Sequence, residues 1–591
     1  YNTVLKNNDV NVRIYAPVGN HKDLLPYLVR RLLENGANSS FVHRLVDARC
    51  PVSELTQHPV ETLQSRKTLE NNLIPLPGGI FGADRRNSSG PNIEIQCEWE
   101  QFRESVSAYM ETRWIGGPVI NGELITTSDS HTVTAPYDNG EQVGSVSWAD
   151  SELVSQALDI AAAGYTEWNN TSVEKRAVAL EKAADLLEQN FGELIALCHR
   201  EAGKTIQDSV DEIREAVDFC RYYANRARID MAEAHSFRDF SGETRTTQLE
   251  GRGIFACISP WNFPLAIFLG QVTAALAAGN SVIAKPAEQT SLIAVRAVQL
   301  MLQAGIPGSA LQLLPGDGAT VGAPLTQDNR VCGVAFTGST ETAQLINRSL
   351  AARDTDEIAP LIAETGGQNA MIVDSTCLPE QVVRDVVHSA FASAGQRCSA
   401  LRVFFVQEDI ADRVIGMLKG AMQERVVGQP SLHSTDIGPV IDKDAQQSLL
   451  AHIEKMKTSA TLIAQSPLPM NAEKGTFVAP TAFEIKDIGE LENENFGPIL
   501  HVVRYKASEL DKVIDSINAT GFGLTLGVHS RNERTAEHIA RRVRVGNVYI
   551  NRDQIGAVVG VQPFGGQGLS GTGPKAGGPR YLIRFTRETS V

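Results

Sequence analysis

From about residue 150 onward, apolar positions recur with the period of amphipathic helices. Segments near 151–168, 172–189 and 204–227 carry this spacing, and in the second Val173, Ala177, Leu180, Ala184 and Leu187 share one face. Short apolar runs then alternate with helical stretches. "GIFACIS" (253–259) reads as a strand, 265–279 as a helix, "SVIAKP" (281–286) as a strand and 290–304 as a helix. "ALQLLPG", a short helix, "VCGVAFTG" and a helix from 340 continue the series. Strands alternating with helices of this length predict an α/β fold with a parallel, doubly wound sheet. A second α/β region runs from 360 to about 550, and "HTVTAPYDNGEQVGSVSWAD" (131–150) predicts a β-hairpin turning at "DNG".

The first residues follow a different pattern. "VNVRIYAPVG" reads as a strand and "HKDLLPYLVRRLLENGAN" as a helix whose Leu24, Leu25, Leu28, Leu32 and Leu33 form one apolar face, with Gly36 at the C-cap. One βα unit cannot bury its own face, so this piece is expected to derive from a larger βα fold. Residues 47–117, with the Pro/Gly/Ser/Asn-rich "LPGGIFGADRRNSSGPN", read as a linker holding one local helix around 98–112.

Composition narrows the classes. The 591 residues suffice for several domains; 42% are hydrophobic and 21% charged, as in globular proteins. The chain begins with Tyr1 and no charged-then-apolar leader follows, which suggests a fragment of something longer without a secretory signal. The longest apolar stretch, 265–279, is interrupted by Gln271 and Thr273 and falls short of a membrane span, so it reads as a core helix. Lys+Arg 54 against Asp+Glu 69 gives a net charge of −15, and no basic stripe argues for a nucleic-acid partner. Eight cysteines without CxxC spacing point to free thiols, a reducing cytoplasmic compartment and no structural metal.

Several strand ends carry candidate chemistry, each with a plainer alternative. In "SPWNFPL" (259–265), Asn262 can offer an amide N–H to a ligand or cap its own turn. In "KPAEQT" (285–290), Lys285 and Glu288 can hydrogen-bond a ribose, or form a surface ion pair. "PGDGATVGAPL" (315–325) and "FTGSTETA" (336–343) place glycines between strand and helix, for phosphate or merely for tight turns. Glu364, ending the apolar run of "LIAETGGQNAMIVD" (361–374), is either a desolvated general base or a structural acceptor. Cys398, in "GQRCSA", is a packing atom or a nucleophile whose thiolate Arg397 and nearby amides stabilise.

Their joint order decides between these readings. "PWNFP", "KPAEQT", "FTGS", "ETGGQNA", "GQRCSA", "ENFGPI" (494–499) and "PFGGQGLSGTG" together resemble the signature segments of the NAD(P)-dependent aldehyde dehydrogenase superfamily over roughly 120–591. The resemblance implies Cys398 as nucleophile, Glu364 as the base for the hydrolytic water, and Asn262 with the Cys398 N–H as oxyanion hole. It implies an NAD cofactor with Lys285 and Glu288 at the adenosine ribose, Ser339 and its turn at the phosphates, Glu494 at the nicotinamide ribose and Phe496 at its ring. Ser259, Trp261, Gly318, Phe336 and Gly338 complete the implied cofactor contacts, and no metal is implied. A glutamate at 364 argues against the coenzyme-A-acylating branch. Thr365 stands where many relatives carry leucine.

"NRDQIGAVVGVQPFGGQGLSGTGPKAGGP" (551–579) further resembles the glutamate-γ-semialdehyde (1-pyrroline-5-carboxylate) dehydrogenases. There Gly556 and Ala557 would offer backbone N–H groups, and Ser399 a hydroxyl, to the substrate's carboxylate. "RIYAPVG" and "YLVRRLLENGANSSF" look like the last strand and helix of a proline dehydrogenase barrel, where Arg30 and Arg31 would pair with proline's carboxylate and Tyr15 and Glu34 shape the site. That combination resembles bifunctional proline-utilisation enzymes, here lacking most of the barrel, so neither proline oxidation nor flavin binding is expected.

The implied organisation is a barrel remnant (1–46), a linker (47–117), an NAD-binding domain with an oligomerisation hairpin (118–360), a catalytic domain (361–550) and an anchor loop with a C-terminal oligomerisation segment (551–591). A homo-oligomer is implied, and NADP use is left open. The alternatives are a dehydrogenase of another small aldehyde, such as succinate semialdehyde, or a catalytically silent scaffold.

Overall fold

The computed structural model describes residues 6, 18, 21–36, 41–71, 73–238, 240–354 and 357–590. Two compact units emerge, Tyr1–Leu76 and Pro77–Val591. In the first, helices His21–Gly36, Phe41–Val46, Val52–Leu55 and Pro59–Gln64 follow one another. Leu25, Leu28, Leu32 and Leu33 are exposed, as expected of a helix with an unburied apolar face. Arg30 and Arg31 both pair with Glu34, at 3.1 and 2.7 Å. The expected strand at 10–19, with Tyr15, lies outside the described residues apart from Val18.

The second unit is built on two seven-stranded sheets. In the first, Leu361–Thr365, Val331–Gly338, Ile254–Ile258, Ser281–Lys285 and Leu311–Leu313 lie side by side and parallel, with Val119–Ile120 and Glu123–Leu124 added antiparallel at one edge. The chain winds outward in one direction from Ile254–Ile258, then returns to its other side with Val331–Gly338. This reversal is the topological switch point of a doubly wound sheet, where strand ends splay and ligands bind. The strand Leu361–Thr365 belongs to this sheet, so the break between the two α/β regions falls after Thr365 rather than at 360. The second sheet orders Thr461–Gln465, Thr481–Ile485, Ile499–Tyr505, Val403–Gln407, Ala370–Val373, Thr525–His529 and Asn547–Ile550, parallel apart from the first pair.

Local chemistry explains the helices that frame these sheets. Asp150, Ser172 and Thr205 cap Ser151–Asn170, Val173–Gln189 and Ile206–Met231 with side-chain oxygens. Ala266–Ala277, apolar apart from Gln271 and Thr273, is buried along nearly its whole length. No helix among the described residues is long and apolar enough to cross a membrane.

Two expectations need correction, and three elements were not anticipated. The hairpin strands are Ser130–Ala135 and Asp138–Ser147, so the chain turns at Pro136 and Tyr137, and "DNG" starts the second strand across a register shift. The helix Phe191–Ala202 and the strands His235–Arg238 and Thr244–Gly251 were absent from the sequence pattern; the last pairs with the C-terminal strand Thr586–Ser590. The stretch after Pro77 is no free tether, because Ser88 is buried and bonded to Asp218.

Candidate active site

The loop bearing Cys398 follows the helix Pro379–Phe391, whose end is reversed by three left-handed residues: Ser393 and Ala394 at φ 54° and Gly395 at φ 67°. Non-glycine residues rarely hold this conformation, and they do so where surrounding bonds compel them. A Cβ on Gly395 would sit 2.2 Å from the Gly497 carbonyl oxygen. The buried guanidinium of Arg402 donates to both the Gly395 and Gly497 carbonyls, at 2.7 and 3.1 Å. Asn369 Nδ2 donates to the Cys398 and Ala400 carbonyls, at 2.6 and 3.0 Å. The backbone on either side of the sulfur is thereby fixed.

Cys398 is half-buried and lines a cavity of about 1160 Å³ together with Glu364, Ser399, Gly556, Ala557 and Phe263. Burial pushes its thiol up to about 12, and the carboxylates of Glu494 and Glu364 add to the shift. The expectation that Arg397 stabilises a thiolate fails. Its guanidinium turns to Asp208, 2.6 Å away, and to Ser393 Oγ at 3.0 Å.

Glu364 ends its strand against the glycine-rich C-terminal stretch. The Gly566 N–H donates to its Oε2 at 2.9 Å, while Oε1 is buried without a hydrogen-bond partner. A Cβ on Gly565 would lie 2.6 Å from Oε1, which is why glycine is needed there. Burial raises this carboxyl to about 8, opposed by the Gly566 N–H and by Lys575. Such a group holds its proton at neutral pH and yields a carboxylate just above it. Thr365 beside it donates to the Leu569 carbonyl.

Asn262 is brought to the same loop but not to the same cavity. Its Nδ2 donates to the Gln396 carbonyl at 3.0 Å, two residues before Cys398, and its side lines a small recess with Lys204, Asp208 and Gln396. One of its two amide hydrogens is thus engaged, and a second remains on the same nitrogen.

The cofactor candidates gather at the C-terminal ends of the first sheet. Lys285 pairs with Glu288 at 3.2 Å, but its side chain is buried, so this is not the surface ion pair of the alternative; a third of the Glu288 side chain is exposed. Gly318 faces open space. Ser339 caps its own helix, Thr340–Ala351, accepting from Thr342 N at 3.2 Å. Phe336 is buried in the core and packs against Gly338, so any ligand contact there comes from its main chain. Ser259 is buried and donates from its N–H to the Lys285 carbonyl. Trp261 and Phe496 meet edge to face, 5.5 Å between centroids. Glu494 accepts from Arg402 at 3.3 Å and lies where a Cβ on Gly366 would collide with it; burial raises its carboxyl, against Arg402.

Sequence reasoning missed the supports: Arg402, Asn369 and the buried pair Lys204–Glu212, 3.1 Å apart. Glu212 and Asp208 stand four apart on one helix, a spacing that reads equally as a solvated face.

The model for the "Aldehyde dehydrogenase family" matches residues 125–591, and the "Proline dehydrogenase" model matches residues 1–44. The chain belongs to the aldehyde dehydrogenase family, and its two α/β sheets are the aldehyde dehydrogenase fold. It is 49% identical to "Bifunctional protein PutA" of Klebsiella aerogenes over 97% of this chain and 44% of the relative. It is 36% identical to "1-pyrroline-5-carboxylate dehydrogenase" of Geobacillus thermodenitrificans over 80% of this chain and 92% of the relative. Among solved structures, a mutant of Bradyrhizobium japonicum Proline Utilization A superposes at TM-score 0.87 with 51% identity, covering 100% of this chain and 56% of that one. 1-Pyrroline-5-carboxylate dehydrogenase from Thermus with bound NAD superposes at 0.82 with 31% identity, over 88% and 99%. The chain spans less than half the length of the bifunctional curated relatives it matches.

Proposed function

We propose that this chain oxidises L-glutamate γ-semialdehyde, the opened form of 1-pyrroline-5-carboxylate, to L-glutamate with NAD. The observation that carries the reading is the shared cavity, which holds Cys398 and Glu364 together with Ser399, Gly556 and Ala557. The names of the 1-pyrroline-5-carboxylate dehydrogenases that the chain resembles support the same substrate. Proline oxidation is not proposed for this chain.

The residues present fit a nicotinamide dinucleotide. Lys285 and the partly exposed Glu288 pair a donor with an acceptor, as a ribose diol requires, and a carboxylate there repels a 2′-phosphate, favouring NAD over NADP. Ser259 and the turns at Gly318, Gly338 and Ser339 would receive the phosphates, Ser339 at the N-terminus of Thr340–Ala351. Trp261, Phe496 and Glu494 would enclose the nicotinamide end. When bound, NAD supplies the acceptor for the hydride of the aldehyde carbon.

The remaining chemistry belongs to the protein. The Cys398 thiol gives up its proton to solvent, and the thiolate Sγ bonds to the aldehyde carbon. The carbonyl oxygen becomes an oxyanion, which the Cys398 N–H would hold together with the second Nδ2–H of Asn262 once that amide swings from its recess toward the sulfur; loss of one such donor costs about 3–4 kcal/mol in the barrier. Once the acyl group is on sulfur, the Glu364 carboxylate takes a proton from water, whose oxygen bonds to the acyl carbon as the C–S bond breaks. Ser399 with the Gly556 and Ala557 amides would hold the carboxylate at the substrate's far end. The hairpin Ser130–Ser147 and the strand Thr586–Ser590 offer edges for pairing between subunits in a homo-oligomer.

The test is kcat/KM for pyrroline-5-carboxylate against succinate semialdehyde, read as NADH. Preference for the first is expected; preference for the aldehyde lacking the α-amino group would overturn the substrate assignment.

A further inference from the structure

Arg85 lies between the two matched regions, 1–44 and 125–591, in a stretch that neither family model covers. Its side chain is nevertheless only 5% exposed. One end of its guanidinium pairs with Asp218 on the helix Ile206–Met231. The other, Nη2, donates to the Val559 carbonyl at 2.8 Å. The plane of the guanidinium lies over the Phe81 ring, 3.8 Å from its centroid. Asp218 is fixed in turn by the N–H and hydroxyl of Ser88, at 3.1 and 2.8 Å. Arg85 therefore joins three segments, and one of them is the turn that follows Gly556 and Ala557.

Val559 is itself buried in the main core, and the turn's polar ties to the body are few. Val561 N and Gln562 N both donate to the Val558 carbonyl, at 3.0 and 2.8 Å, which closes the turn on itself. Gly560, at φ 77°, donates to the Gly577 carbonyl at 2.9 Å and sits against the Tyr222 ring. The Gly577 carbonyl thus holds the turn through Gly560, and Arg85 holds it through the adjacent Val559 carbonyl. A planar fork suits this position, because it satisfies a carboxylate and a carbonyl at once where an ammonium is a single point charge.

We infer that Arg85 is a positioning residue for substrate selection, setting the placement of the loop whose Gly556 and Ala557 amides receive the substrate's carboxylate. This rests on the function proposed above. A loop misplaced by a fraction of an ångström weakens a carboxylate contact without disturbing the sulfur, which is fixed separately by Arg402 and Asn369. Substrates with and without that carboxylate should therefore respond differently.

The experiment compares steady-state kinetics of the full chain on pyrroline-5-carboxylate and on butanal, which has no carboxylate. Two variants are used. Arg85→Lys keeps the charge facing Asp218 but loses the fork. Arg85→Met with Asp218→Asn removes both charges, so no buried carboxylate is left unpaired. In either variant KM for pyrroline-5-carboxylate should rise about ten-fold, the scale of one lost charged hydrogen bond. Its kcat, and kcat/KM for butanal, should stay within about two-fold of the parent. Parallel losses on both substrates, or an unchanged KM for pyrroline-5-carboxylate in whichever variant folds, would overturn the inference alone. A parent enzyme with no preference for pyrroline-5-carboxylate over butanal would overturn the substrate assignment, and this inference with it.

Discussion

Lys204 Nζ donates to the main-chain carbonyl of Asn262 at 2.8 Å, while Glu212, 3.1 Å from the same ammonium, accepts the N–H groups of Leu265 and Ala266. One buried ion pair thus grips both ends of the loop that carries Asn262. Removing one member of such a pair leaves a lone buried charge and typically costs about 3–5 kcal/mol. Lys204→Met should lower stability by that order, read by chemical denaturation. It should also cut kcat/KM roughly 100-fold, because the Asn262 amide loses its placement.

Glu364 sets the pH dependence. Its carboxyl is raised by burial to about 8, so the carboxylate population grows as pH rises through that value. Steady-state turnover limited by hydrolysis should climb with pH around 8 and level above it. Glu364→Gln should abolish that limb and slow turnover by about 100- to 10,000-fold, while a first-turnover burst of NADH, measured by stopped flow, survives.

Cofactor choice should follow Glu288. Its carboxylate pairs with Lys285 at the sheet edge, where it would oppose a 2′-phosphate. Glu288→Gln should shrink the ratio of kcat/KM with NAD to that with NADP by about ten-fold, from one favourable and one repulsive contact removed together.

A structural carboxylate gives a different pH signature. Burial alone would raise Glu188, but Arg221 and the Ser89 N–H outweigh it and hold the group down to about 2. A folded value below the ordinary 4.5 means stability that is present above that ordinary value and lost as pH falls toward 2. Glu188→Gln should therefore be less stable than the parent near neutrality in urea titrations. The gap should narrow progressively below about pH 4.5.

The alternation of strand and helix from 254 to 351 was legible because apolar period and glycine punctuation agree there. Cys398 and Glu364 stood out through the company of neighbouring motifs rather than by themselves. What escaped the reading was direction. Arg397 adjoins the thiol in sequence yet turns to Asp208, and Asn262 reaches Gln396 rather than the main cavity. Side-chain aim depends on partners hundreds of residues away. Periodicity also misses segments held by side chains instead of ladders, which is why Arg85 and Ser88 looked like part of a tether. At the hairpin, the glycine of "DNG" signalled a turn, but Pro136 and Tyr137 make it.

The central claim is a covalent acyl group on Cys398, and mass spectrometry of the Glu364→Gln variant tests it most directly. After incubation with pyrroline-5-carboxylate and NAD, peptide mapping should find the mass of a glutamyl group on the peptide containing Cys398, absent when NAD is withheld. An adduct on another cysteine, or NADH formation that continues in a Cys398→Ala chain, would contradict the account.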